Sequence, residues 1–96
     1  MLTIEQIRET VASIAPEYNL KKVTLFGSRA NGTARADSDV DLIVEFSKSI
    51  TVSLFTIAAL KIRLEEIFGL GVDIIHAPIP ETSILIIDKE VSIYAA

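Results

Sequence analysis

Two short stretches carry the residue types from which a reactive site could be built. Gly27-Ser28 abruptly stops an apolar run over residues 23–26, so the backbone N–H groups after the turn are free to face an anion. Ten residues separate Ser28 from Asp39, and a single residue separates Asp39 from Asp41. On an extended strand alternate side chains share a face, which sets these carboxylates side by side with α-carbons roughly 7 Å apart. Brought to roughly 5 Å at an effective dielectric near 20, two ionised carboxylates repel by about 3 kcal/mol, a cost that a divalent cation removes. Hard oxygen ligands suit Mg2+, which is usually held by one or two carboxylates together with substrate phosphates. Spacing alone thus reaches a divalent metal and an anion.

The elements that must position these residues follow from periodicity. Residues 3–15 read as a first helix: Thr3 with Gln6 makes a capping box, Ile4, Ile7, Val11 and Ile14 recur at helical spacing, and Pro16 is expected to end it. Lys21-Lys22 opens the first strand as a solvated edge. After Gly27-Ser28 one turn of helix over 29–31 and a tight turn at Asn31-Gly32 return the chain to a second strand beside the first. There Val40, Leu42, Val44 and Phe46 share one face, and Asp39, Asp41, Ile43 and Glu45 the other. The acids therefore sit where the strand begins, and Ile43 is expected to lie under a helix. Arg35, Asp37 and Ser38 read as solvated or loop-shaping residues.

A long helix over residues 52–68 stops at Gly69. Its stripe of Leu54, Ile57, Leu60, Leu64, Ile67 and Phe68 is widened by Phe55, Ala58, Ala59 and Ile62, and burial is the expected reason for most of them. The third strand, 72–76, is apolar with one carboxylate inside it, Asp73; His76 reads as a strand-end residue. Pro78 and Pro80 mark a loop before an expected short helix over 82–89, and 91–94 reads as an edge strand or tail.

Composition narrows the function classes. The 96 residues are read as one domain, 1–96, with no room for a separate acceptor-binding unit. Half are hydrophobic and the mean hydropathy is +0.47, so part of the apolar surface is expected at an interface, with a partner or a second copy. A net charge of −4 argues against a broad nucleic-acid-binding surface. The absence of cysteine excludes disulfides and thiolate metal sites and is compatible with a reducing compartment. No leader is read at the start, and the apolar stretch over 50–60 is too short to span a membrane. A cytoplasmic protein is expected.

Glycine-serine, ten residues, then Asp-x-Asp resembles the signature of the nucleotidyltransferase superfamily that includes DNA polymerase beta. The local texts GSRANG, SDVDLIVEF, VSLF and GVDII are similar to the minimal nucleotidyltransferases of prokaryotes, over about residues 23–75. That resemblance implies an α/β nucleotidyltransferase fold, a small mixed β-sheet flanked by helices. It also implies transfer of AMP from ATP to a hydroxyl, with two Mg2+ ions. Asp39, Asp41 and Asp73 are then the catalytic and metal-binding carboxylates, and Gly27, Ser28 and Arg29 the nucleotide-binding residues. Members of this kind are commonly paired with a helical HEPN toxin, a tyrosine of which the antitoxin adenylylates. Two other readings are a small-molecule nucleotidyltransferase completed by a partner subunit, and an antitoxin that acts by binding alone.

Overall fold

A computed structural model describes residues 1–47, 52–77 and 89–96. Helix α1 (Ile4–Tyr18) starts as the sequence dictates. The Thr3 hydroxyl accepts from the Gln6 amide at 3.1 Å while the Gln6 side chain accepts from the Thr3 amide at 2.8 Å. Pro16 does not end it. The helix continues to Tyr18, and Asn19, in the left-handed conformation at φ 55°, closes it with its N–H directed at the carbonyls of Ala15 and Pro16. In the last turn a proline forfeits one donor, and the stop falls on the residue that most readily adopts a left-handed backbone.

Among the described residues four strands follow: β1 (Leu20–Phe26), β2 (Val40–Phe46), β3 (Val72–His76) and β4 (Val91–Ala95), in the spatial order β3-β2-β1-β4. β1 pairs antiparallel with both β2 and β4, and β2 pairs parallel with β3, so the sheet is mixed. β1 is therefore central and not an edge; Lys21 and Lys22 are exposed at its start. Among the described residues β4 is an edge strand, the first of the two readings of 91–94. The parallel β2–β3 pair requires a crossover, supplied by α3 (Leu54–Phe68). Ser53 caps α3 by accepting from the Thr56 amide, and Gly69, at φ 68°, ends it.

One face of the sheet carries the core. Val23, Leu25, Val40, Leu42, Val44, Phe46 and Val72 pack with Ile7, Val11 and Ile14 of α1 and Leu60 and Leu64 of α3. His76 ends its strand with its ring edge-on to Phe46, centroids 5.4 Å apart, which accords with a strand-end role. The expectation that α3 is buried on most sides is overturned. Leu60 and Leu64 are its buried residues, whereas Phe55 is 86% exposed and Leu54 84%, with Ile62 and Ile67 also open to solvent. A helix that is apolar around its circumference still packs on only one side when the described residues supply one layer beneath it. Ile43 is buried but stands outside the core cluster, on the opposite face of the sheet from α1 and α3. The helix expected over 82–89 lies outside the described residues except at Lys89.

Candidate active site

Sheet register brings the carboxylates together. Asp41 lies opposite Asp73 in the parallel β2–β3 ladder and opposite Phe26 in the antiparallel β1–β2 ladder. Phe26 is the last residue of β1, so the Gly27 turn rises directly beside Asp41. Asp39 precedes β2, whose first residue, Val40, donates its N–H to the Gly71 carbonyl at 2.8 Å. Three segments far apart in sequence thus meet at one end of the sheet.

The local chemistry is that of like charges crowded together. Asp41 is half-buried, and its carboxyl is held above the usual aspartate range. Burial is the largest cause, followed by the charge of Asp73, a side-chain hydrogen bond with Asp73, and the charge of Asp39. Asp39 and Asp73 are exposed. Among the described residues no three acidic or histidine side chains form a complete cation cage. Mg2+ rarely needs one, since it keeps waters and takes substrate phosphates beside one or two carboxylates. The fit is therefore electrostatic: repulsion around Asp41 is what a nucleotide-borne cation relieves.

Gly27 has a backbone that only glycine adopts readily, φ 75° and ψ −155°. A β-carbon added there collides with the Asp41 carboxylate. Ser28 opens α2 (Ser28–Asn31), whose first amides have no acceptor within the helix. The Asp41 carboxylate lies against the Gly27 turn, so a ligand held by one would meet the other.

Sequence reasoning missed Gly71. A β-carbon there falls 2.5 Å from an oxygen of Asp39, so the bare glycine makes room for that carboxylate. The glycine before Val72-Asp73 is visible in the sequence, but its role depends on β3 pairing with β2. Glu65 secures the same approach: its carboxylate accepts from the Val72 amide at 3.1 Å, tying the end of α3 to the start of β3.

Arg29 departs from its expected place. Its side chain is buried and its guanidinium donates to backbone carbonyls of Leu2, Arg35, Ala36 and Ser38, not toward open space beside the aspartates. A cavity of about 100 Å³ lies beside Arg29, between α1 and α2. None of the three aspartates lines it, so it is separate from the site.

Comparisons with known proteins bear on the family and the fold. The chain is 34% identical over 79 residues to the protein adenylyltransferase MntA of Thermococcus cleftensis, covering 78% of each. Its fold superposes with a TM-score of 0.75 on a chain of a toxin–antitoxin structure with AMP-PNP, at 18% identity and covering 93% of this chain and 73% of that one. A chain from the complex of a tri-AMPylated Shewanella oneidensis HEPN toxin with an MNT antitoxin gives a TM-score of 0.70 at 14% identity, covering 98% and 74%. At those identities the two structures speak for the fold alone. Residues 4–94, from the start of α1 into β4, match the nucleotidyltransferase domain, and the chain belongs to that family.

Proposed function

We propose that this nucleotidyltransferase moves AMP from ATP to a tyrosine hydroxyl of a HEPN-type toxin, and so acts as its antitoxin. The observation that carries the reading is Asp41, held between Asp73, Asp39 and the Gly27 turn. Support for the protein acceptor comes from the protein adenylyltransferase similar in sequence.

In this reaction the acceptor O–H loses its proton, its oxygen bonds to the α-phosphorus of ATP, and the bond to the β-phosphate breaks to release pyrophosphate. Amides after Gly27 bind the β- and γ-phosphates, as does the Ser28 hydroxyl. Asp39 and Asp41 would hold Mg2+ with the triphosphate, and Asp73 a second ion; such ions would supply charge neutralisation of the phosphates and a lower pKa for the acceptor hydroxyl. Asp73 faces solvent beside Asp41, where an arriving hydroxyl can hand over its proton. Fixing triphosphate and hydroxyl in line supplies the rest of the acceleration.

Intact-protein mass spectrometry tests this directly. The chain is mixed with ATP, Mg2+ and a purified candidate HEPN-type partner, in parallel with Asp39→Asn. The expected result is a gain of AMP units on the partner with wild type, reduced on the order of 1,000-fold in rate by the substitution, the loss of several kcal/mol of charge stabilisation. The exposed apolar residues of α3 favour one other reading, neutralisation by binding. It predicts equal protection by wild type and Asp39→Asn and no mass gain on a stably bound partner.

A further inference from the structure

Arg29 makes a set of contacts that the reaction itself does not call for. Its Nε donates to the Ser38 carbonyl at 3.2 Å and its Nη2 to the same oxygen at 2.7 Å. Nη2 also reaches the carbonyls of Ala36 at 3.4 Å and Arg35 at 3.5 Å, and Nη1 that of Leu2 at 3.4 Å. The residue is 7% exposed, and among the described residues no carboxylate pairs with it. A buried guanidinium without a counter-ion is costly unless its donors are satisfied. Here converging carbonyl oxygens satisfy them, and three of the four belong to the loop that delivers Asp39.

That loop is fastened at both ends. Its own turn is closed by the Arg35 amide donating to the Ser38 hydroxyl at 2.8 Å and the Ser38 amide donating to the Arg35 carbonyl at 3.1 Å. Beyond it, Val40 is tied to Gly71 and the Asp39 carboxylate lies against Gly71. Arg29 follows the Gly27-Ser28 turn immediately in the chain. One side chain therefore joins the turn that faces the phosphates to the loop that carries the first aspartate. A planar fork with five donors spans several carbonyls at once; a lysine ammonium does so poorly.

We propose that Arg29 is a positioning residue that fixes the loop 35–38, and with it Asp39, relative to the Gly27-Ser28 turn, and that it does not contact the nucleotide. The inference rests on the reading of Asp39 and Asp41 as metal-binding carboxylates, and its test does not require transfer. Arg29→Lys, Arg29→Met and Ser38→Ala are compared with wild type by amide hydrogen exchange, by Mn2+ binding with a non-hydrolysable ATP analogue, and by affinity for that analogue in EDTA. Arg29→Lys is expected to fold, to exchange faster at residues 36–40, and to bind Mn2+ about tenfold more weakly, the range seen when groups behind metal ligands are altered. Its metal-free nucleotide affinity should change less than about twofold. Arg29→Met should exceed it in both effects, and Ser38→Ala, which loosens the loop while leaving Arg29 in place, should shift both in the same direction by less.

Unchanged exchange at 36–40 with unchanged Mn2+ affinity overturns the proposal. So does a tenfold or larger loss of metal-free nucleotide affinity with the loop undisturbed, which is the signature of direct triphosphate contact. If Arg29→Met fails to fold, Arg29→Lys and Ser38→Ala decide. A wild type that binds the Mn2+–analogue complex but transfers nothing defeats the catalytic reading alone. If it binds no Mn2+, exchange at 36–40 alone decides the role of Arg29.

Discussion

Asp41 is the residue at which stability and chemistry pull in opposite directions. Its carboxyl is held above the ordinary range by burial and by Asp73 and Asp39, so the folded state holds its proton more tightly than the unfolded chain. The stability this contributes is present below the unfolded value of about 4 and is lost as pH rises through the higher folded value. At neutral pH without metal, Asp41→Asn should therefore raise the melting temperature, with the gain vanishing below about pH 4, as melting curves at pH 7 and pH 3.5 will show. Gly71→Ala makes the converse point. The new methyl meets the end of a flexible, exposed carboxylate, so melting should change little while transfer falls at least about tenfold, because Asp39 must turn aside. Spacing alone marked the acidic pair and the glycine-serine turn, since both are local patterns. Asp73 needed the family resemblance. Gly71 and the carbonyl partners of Arg29 were illegible because each depends on a contact made only after β2, β3 and the loop 35–38 have come together.

Each long element was found by its period, but the period says nothing about what lies opposite each face. α3 has nearly the expected bounds, set by Ser53 and Gly69. Which of its apolar residues are buried could not be read, because nearly every side of the helix is apolar. Leu60→Ala should cost about 2–5 kcal/mol, the usual loss for emptying a packed core position, whereas Phe55→Ser should lie within about 0.5 kcal/mol. Chemical denaturation of the two variants checks this contrast. In α1 the proline has the marks of a stop, yet it forfeits only one donor in a last turn that Asn19 then closes. Local rules name the residues able to end a helix. The left-handed backbone at Asn19 decides which of them does.

At the scale of the whole molecule, function depends on topology. The β3-β2-β1-β4 order puts the end of β1, the start of β2 and the start of β3 at the same end of the sheet. α3 crosses over so that β3 runs parallel to β2 and Asp73 arrives beside Asp41. No helix among the described residues is long and apolar enough to cross a membrane. The central claim is that this end of the sheet cleaves ATP between its α- and β-phosphates and retains the nucleoside monophosphate. The measurement that tests it most directly is transfer to the proposed HEPN-type partner from ATP labelled at the α-phosphate, beside a sample labelled at the γ-phosphate. Label is expected on the partner from the α position only, with stoichiometric pyrophosphate release and loss of both in Asp39→Asn. Label arriving from the γ position, or equal transfer by Asp39→Asn, would contradict it.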